Sequence, residues 1–126
     1  MLLVHAPAGG WNGLASWSQD DLRRMIGSMR ELDADLRGRG ELLHDNGLAG
    51  PGSARTVRAE PDGTPSVRDG LRAGASDCLA GYWVVDVASP ERAVEIATRI
   101  SLTPGPRGEP INQQVEVHEI GEPPEV

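Results

Sequence analysis

Residues 79–100 read Leu-Ala-Gly-Tyr-Trp-Val-Val-Asp-Val-Ala-Ser-Pro-Glu-Arg-Ala-Val-Glu-Ile-Ala-Thr-Arg-Ile, and two periodicities meet inside them. Leu79 to Val87 is an apolar run rich in β-branched and aromatic side chains, the strongest strand signal in the chain. Ser89-Pro90-Glu91 then supplies an N-cap, a proline at the first helical position and an acidic first turn. Ala93, Val94, Ile96, Ala97 and Ile100 follow at helical spacing, so a helix is expected to run to about Arg99. The unit is a strand feeding directly into a helix.

The chain upstream has the same units. Met1 to His5 is an apolar run that stops at Pro7 and Gly9-Gly10, the pattern of a buried strand entering a loop. Ser18, with Asp21 three positions on, resembles a capping box, and Leu22, Met25, Ile26, Met29, Leu32 and Leu36 recur at helical spacing until Gly38 and Gly40. Arg23, Arg24, Arg30, Glu31 and Asp35 fall between them as a solvated face. Glu41 to His44 is a short strand, and Asn46-Gly47 and Gly50-Pro51-Gly52 form a turn-rich connection. Ala54 to Ala59 and Ser66 to Arg68 flank Pro61-Asp62-Gly63-Thr64-Pro65, the composition of a hairpin at a sheet edge. Gln113 to Ile120 alternates as a closing strand, and residues 121–126 form a proline-rich acidic tail.

Four main strands and two helices in two β-α-β units, with the hairpin inserted, predict a single α+β domain over residues 1–126. The expected sheet is ferredoxin-like and antiparallel, with both helices on one face. The other face then needs cover, and the same face of a second copy is the simplest cover for a chain this short, so a homodimer is expected.

Composition narrows the function. The net charge of −7 repels phosphate backbones, and three Trp, one Tyr and no Phe leave little with which to stack bases, so nucleic acid is not expected as a partner. All 12 basic residues are arginine, which removes lysine nucleophiles and a lysine-held pyridoxal cofactor. The single cysteine, Cys78, excludes an internal disulfide, and its surroundings in the sequence carry no catalytic histidine motif. Met1 to Ala8 has no basic leader and falls far short of the ~20 apolar residues of a membrane span, so a cytoplasmic protein without a membrane partner is expected.

Several strings carry a resemblance. MLLVHAP at residues 1–7, SQDDLRRMIGSMRELDADLRGRGELL at 18–43, VRDG at 67–70, LAGYWVVDVASPERAVEIATRI at 79–100 and VEVHEI at 115–120 together resemble the DGPF branch of the YCII-related family. The resemblance covers nearly the whole chain. It implies a dimeric α+β barrel whose two sheets face each other across a cleft suited to small-molecule acid-base chemistry. Asp69 and Gly70 keep the first two positions of the Asp-Gly-Pro-Phe signature, but Leu71 and Arg72 replace its Pro and Phe. Gly74 and Ser76 replace the usual Glu and Lys, and His118 stands where the family has arginine. The first helix lacks the histidine that some members carry there. A rewritten signature implies a specialised pocket or loss of the ancestral chemistry.

Candidate site residues follow from the expected sheet. If the first strand lies beside and parallel to the Leu79 to Val87 strand, His5 and Asp86 share one end, where an imidazole oriented by a carboxylate makes a general base. His44 with Asp69 is a second acid-base arrangement, with Arg68 or Arg72 holding an anionic substrate through the planar guanidinium. Tyr82 and Trp83 lie on opposite faces of one strand, so one packs under the helices and the other lines the cleft. Trp11 and Trp17 form either a lid or a hydrophobic anchor for their loop. His5, His44 and His118 make no metal set, because antiparallel first and last strands place His118 beside Met1 or Leu2, far from His5. The expected activity is a cofactor-independent, metal-free lyase or isomerase acting on a hydrophobic or aromatic small molecule, in a specialised biosynthetic role. The alternative is a non-catalytic ligand-binding or accessory homodimer.

Overall fold

The computed structural model describes residues 1–9 and 13–125. In chain order its elements are β1 (Leu2–Pro7), α1 (Gln19–Gly38), β2 (Leu42–Gly47), β3 (Arg55–Ala59), β4 (Pro65–Asp69), β5 (Asp77–Val85), α2 (Pro90–Ser101) and β6 (Gln114–Val117). Single 3-10 turns interrupt the loops at Pro51–Ser53 and Pro106–Gly108.

Both helices begin where the capping residues predict. The Ser18 hydroxyl accepts from the Asp21 amide at 3.1 Å, with Asp20 and Asp21 set against the positive end of the α1 dipole. The Ser89 hydroxyl accepts from the Arg92 amide at 3.2 Å, and Pro90 occupies the first turn of α2. Gly40, at φ 70°, lets the chain turn back after α1, and the Glu41 amide donates to Leu36 O at 2.9 Å.

Four strands form an antiparallel sheet in the order β2-β5-β1-β6. Leu2, Val4 and Trp83 point from it into a core with Leu32 and Leu36 of α1 and Ala93, Ile96, Ala97 and Ile100 of α2. The helices therefore share one face, and the arrangement is α+β, compatible with a ferredoxin-like fold. The hairpin of β3 and β4 is a separate two-stranded sheet with Val57 opposite Val67.

One expectation is overturned: β1 and β5 run antiparallel, with Leu2 opposite Trp83 and His5 opposite Leu79. Each helix crossing returns the chain parallel to the strand it left but one place farther across the sheet. β5 therefore slots between β1 and β2, antiparallel to both, and β1 slots between β5 and β6.

The element ends also move. β2 continues through Asn46 and Gly47, which were expected to turn, because both pair with β5 opposite Tyr82 and Gly81. Gly81 makes this close approach possible, since a Cβ there would stand 3.0 Å from Asn46 O. β5 begins at Asp77 and ends at Val85, where the Asp86 amide donates to Glu41 O at 2.8 Å. β6 is regular as far as Val117, opposite Leu2, and just beyond it the His118 amide donates to Met1 O at 2.8 Å.

Candidate active site between the hairpin and the sheet

Alternation along β1 sends Leu2, Val4 and Ala6 under the helices and turns Leu3 and His5 to the bare face. β6 pairs antiparallel with β1, placing Glu116 opposite Leu3 and Gln114 opposite His5. Glu116 therefore stands two residues along the same face as His5, within diagonal reach of a long side chain. Its Oε1 contacts the His5 Nε2. That nitrogen is shielded from solvent and faces the Glu116 carboxylate without an aligned hydrogen bond.

His5 and Glu116 line a cleft of about 770 Å³ between the bare face of the sheet and the inserted hairpin. Thr56 anchors the base of the hairpin, its hydroxyl donating to Gly70 O at 3.0 Å, and the Gly70 amide donates to Ala54 O at 2.7 Å. Leu71 and Leu79 give the wall apolar surface, and Arg55, Arg72 and Asp77 give it charge. Arg55 lies 3.6 Å from Asp69, whereas Arg72 pairs with no carboxylate among the described residues. A second cleft of about 490 Å³ adjoins the first, sharing His5, Asp77 and Gln114 and adding Ile111, Asn112 and Gln113.

The expected pairing of His5 with Asp86 does not form. His5 lies opposite Leu79, and Asp86 follows the far end of β5, seven residues on, which at ~3.3 Å per residue separates them by ~23 Å. The cause is the antiparallel register. His44 and Asp69 do not meet either: Asp69 ends β4 beside Arg55, while His44 lies on β2 with its Nδ1 2.9 Å from the Tyr82 hydroxyl. Asn46 Nδ2 donates to that hydroxyl at 3.5 Å, completing a polar cluster on the bare face away from the cleft.

Tyr82 and Trp83 occupy opposite faces. Trp83 is buried, its indole donating to Asp33 Oδ1 at 3.1 Å. Arg68 lies on the exposed hairpin opposite Thr56 and lines neither cleft, in contrast to Arg72. Trp17 also lines neither; its ring packs over Gly105, 3.6 Å from where a Cβ would stand, and so anchors the loop after α2. Trp11 lies outside the described residues.

One further acidic pair is set into the helix side of β2. Asp45, opposite Trp83, has its pKa raised to about 6 by burial and by the Asp33 carboxyl beside it, with Arg37 and His44 acting in the opposite direction. Among the described residues, no group of three or more His, Cys, Asp or Glu side chains is placed to hold a metal ion. No described helix is long and apolar enough to cross a membrane.

Sequence reasoning singled out His5 and Arg72 but missed Glu116, Asp77 and the amides of residues 112–114. Glu116 had a signal. Once His118 is placed beside Met1, counting back along an antiparallel β6 puts Glu116 beside Leu3, on the face of His5. Asp77 and the amides had none, because their place depends on how the hairpin and the loop after α2 fold over the sheet. Comparison of the chain with protein-family models and with curated proteins finds no match.

Proposed function

We propose that the chain is a cofactor-independent acid-base enzyme of lyase or isomerase type, with His5 as the proton acceptor and Glu116 as its partner. The observation that carries this reading is the contact between the His5 ring nitrogen and the Glu116 carboxylate at the wall of an open cleft. A neutral imidazole takes a proton from a carbon acid near neutral pH, and an adjacent carboxylate stabilises the imidazolium that results. The electron pair left on the substrate passes to its carbonyl oxygen as an enolate, while the substrate's carboxylate is held by Arg72, whose guanidinium pairs with no carboxylate among the described residues. Returning the proton to another carbon completes an isomerisation, and expelling a leaving group completes an elimination.

The substrate class is a small molecule with a hydrophobic or aromatic part, in keeping with Leu71 and Leu79 in the wall. The active form is a homodimer in which the bare sheet face, carrying Leu3, Leu79, Tyr82 and Val84, is covered by a second copy. The likeness of residues 1–7, 18–43, 79–100 and 115–120 to the YCII-related family supports the same arrangement.

Deuterium exchange tests the reaction. In heavy water, a panel of enolisable carbonyl acids is followed by proton NMR for label uptake at the acidic carbon. Uptake with the parent protein that is lost in a folded His5→Ala variant is expected; uptake unchanged by that substitution removes His5 from the chemistry. A second reading, ligand binding without turnover, is favoured by the absence of an aligned hydrogen bond at His5 Nε2, since an unoriented imidazole is a poor base. Binding of the panel compounds in the cleft with no label uptake would select it.

A further inference from the structure

The two clefts meet at His5, and their walls differ in chemistry. On the hairpin side stand Arg72, which has no ion-pair partner among the described residues, and Arg55. On the other side stand the amide residues Asn112 and Gln113, with a third, Gln114, shared by both clefts. None of the three makes a side-chain hydrogen bond within the described residues, so their donors and acceptors are free to serve a ligand.

The backbone under these amides is held in place. The Ile111 amide donates to Thr103 O at 2.9 Å, and the Asn112 amide donates to Ser101 O at 2.9 Å. The Ser101 hydroxyl donates to Gln113 O at 2.8 Å. These bonds fasten the segment to the C-terminal turn of α2 and its following loop, and they hold Asn112 at φ 56°, a left-handed conformation that asparagine tolerates better than most residues. The backbone beneath these amides is therefore already ordered, and only their side chains need to order on binding.

We propose that the two clefts form one two-lobed site for an elongated organic acid. Its carboxylate lies in the Arg72 lobe, and an amide or hydroxyl at its far end is bound by Asn112, Gln113 and Gln114, so that the middle of the molecule crosses His5. A carboxylate matches the planar guanidinium, and a neutral polar group matches amides, which both donate and accept. The position of His5 between the lobes assigns the reacting carbon to the interior of the substrate, and this last step rests on the proposed acid-base reading.

The test uses hexanoate and 6-acetamidohexanoate, two acids that differ in a terminal amide, titrated into the full chain and followed by nitrogen–proton correlation NMR. The amide-bearing probe is expected to bind about tenfold more tightly, the gain of one or two satisfied hydrogen bonds. Asn112→Gly, which keeps the left-handed backbone accessible, and Gln113→Leu are each expected to erase most of that advantage. Arg72→Gln is expected to weaken both probes together. Equal affinity of the two probes, an advantage that survives both amide substitutions, or failure of both probes to bind would overturn the two-lobed site. The outcomes separate from those of the acid-base reading. Retention of the amide advantage in a His5→Ala protein, alongside label uptake that ignores that substitution, leaves the two-lobed site standing without His5 chemistry. Loss of the advantage alongside His5-dependent uptake removes the two-lobed site alone.

Discussion

Trp83 Nε1 donates to Asp33 Oδ1 at 3.1 Å, tying a central strand to α1 at the place where Asp33 also meets the Asp45 carboxyl. With Asp45 raised from 3.8 to about 6, the folded state holds more protons than the unfolded one between those values. Stability from this group is therefore fully present at low pH, falls as pH rises from about 4 to 6, and stays low above that. Asp45→Asn, which mimics the protonated carboxyl, is expected to stabilise the protein at pH 7.5 by about 1 kcal/mol, a figure discounted for the partial exposure of the group. Urea unfolding at pH 7.5 and at pH 3.5 checks this, since the gain should vanish at the lower pH.

Arg92 and Glu41 show the opposite sign. Arg92 Nε donates to Glu41 Oε2 at 3.0 Å and Nη2 donates to Oε1 at 2.8 Å, a two-point grip that fastens α2 to the start of β2. The hydrogen bonds to Arg92 hold the Glu41 carboxyl below its ordinary value. A depressed carboxylate stabilises the fold above its unfolded pKa and loses that contribution as pH falls through its folded pKa. Glu41→Gln is thus expected to lower Tm by a few degrees at pH 7, with the difference shrinking toward pH 3. A melting series over that range reads it.

Gly105 is buried where the loop after α2 passes beneath Trp17. A Cβ there would stand 2.9 Å from Ile111 Cγ1 and 3.3 Å from Glu109 O, with Trp17 at 3.6 Å. The backbone at φ −105° accepts any residue, so the cost of Gly105→Ala is one of space. Overpacking of this kind costs ~1–3 kcal/mol, measurable by denaturant unfolding. Because Ile111 lines the second cleft, the same substitution is expected to shift the amide resonances of residues 111–113.

Leu36 and Ile96 are each fully buried, one from each helix, under the same face of the sheet. Replacing either with alanine is expected to cost ~2–5 kcal/mol, and since both belong to one core the double variant should depart from additivity. A double-mutant cycle in urea measures the coupling.

At the site, Glu116→Gln retains the shape of the side chain and removes the charge beside His5. Label uptake by an enolisable substrate is expected to fall by ~10²-fold, with circular dichroism and Tm close to those of the parent protein. An unchanged rate would leave Glu116 with no part in orienting or stabilising the imidazole.

Much of the fold was legible because the signals are local. Ser18 and Ser89 each present a hydroxyl to an amide three residues on, and no tertiary contact is needed for that geometry. The alternation of Leu2, Val4 and Trp83 against Leu3 and Tyr82 marks the faces of the sheet through a backbone period of two residues. Asn46-Gly47 misled for the converse reason: its turn preference is weak beside a ladder of hydrogen bonds to β5, which appears only when Gly81 lets the strand approach.

The sequence by itself determined the helix starts, the buried stripes apart from Ile26 and Val94, which stand exposed, the opposite faces of Tyr82 and Trp83 and the presence of His5 on a strand, because caps and periodicity act over one or two turns of chain. Only the tertiary structure decided that His5 lies far from Asp86 and which clefts it lines. The direction of β1 against β5 comes from how the two helix crossings interlock, and that relation spans the whole chain. It moved Asp86 to the far end of the sheet, while the β1–β6 register set Glu116 beside His5, and the folding of the hairpin and the loop after α2 then built a cleft on either side.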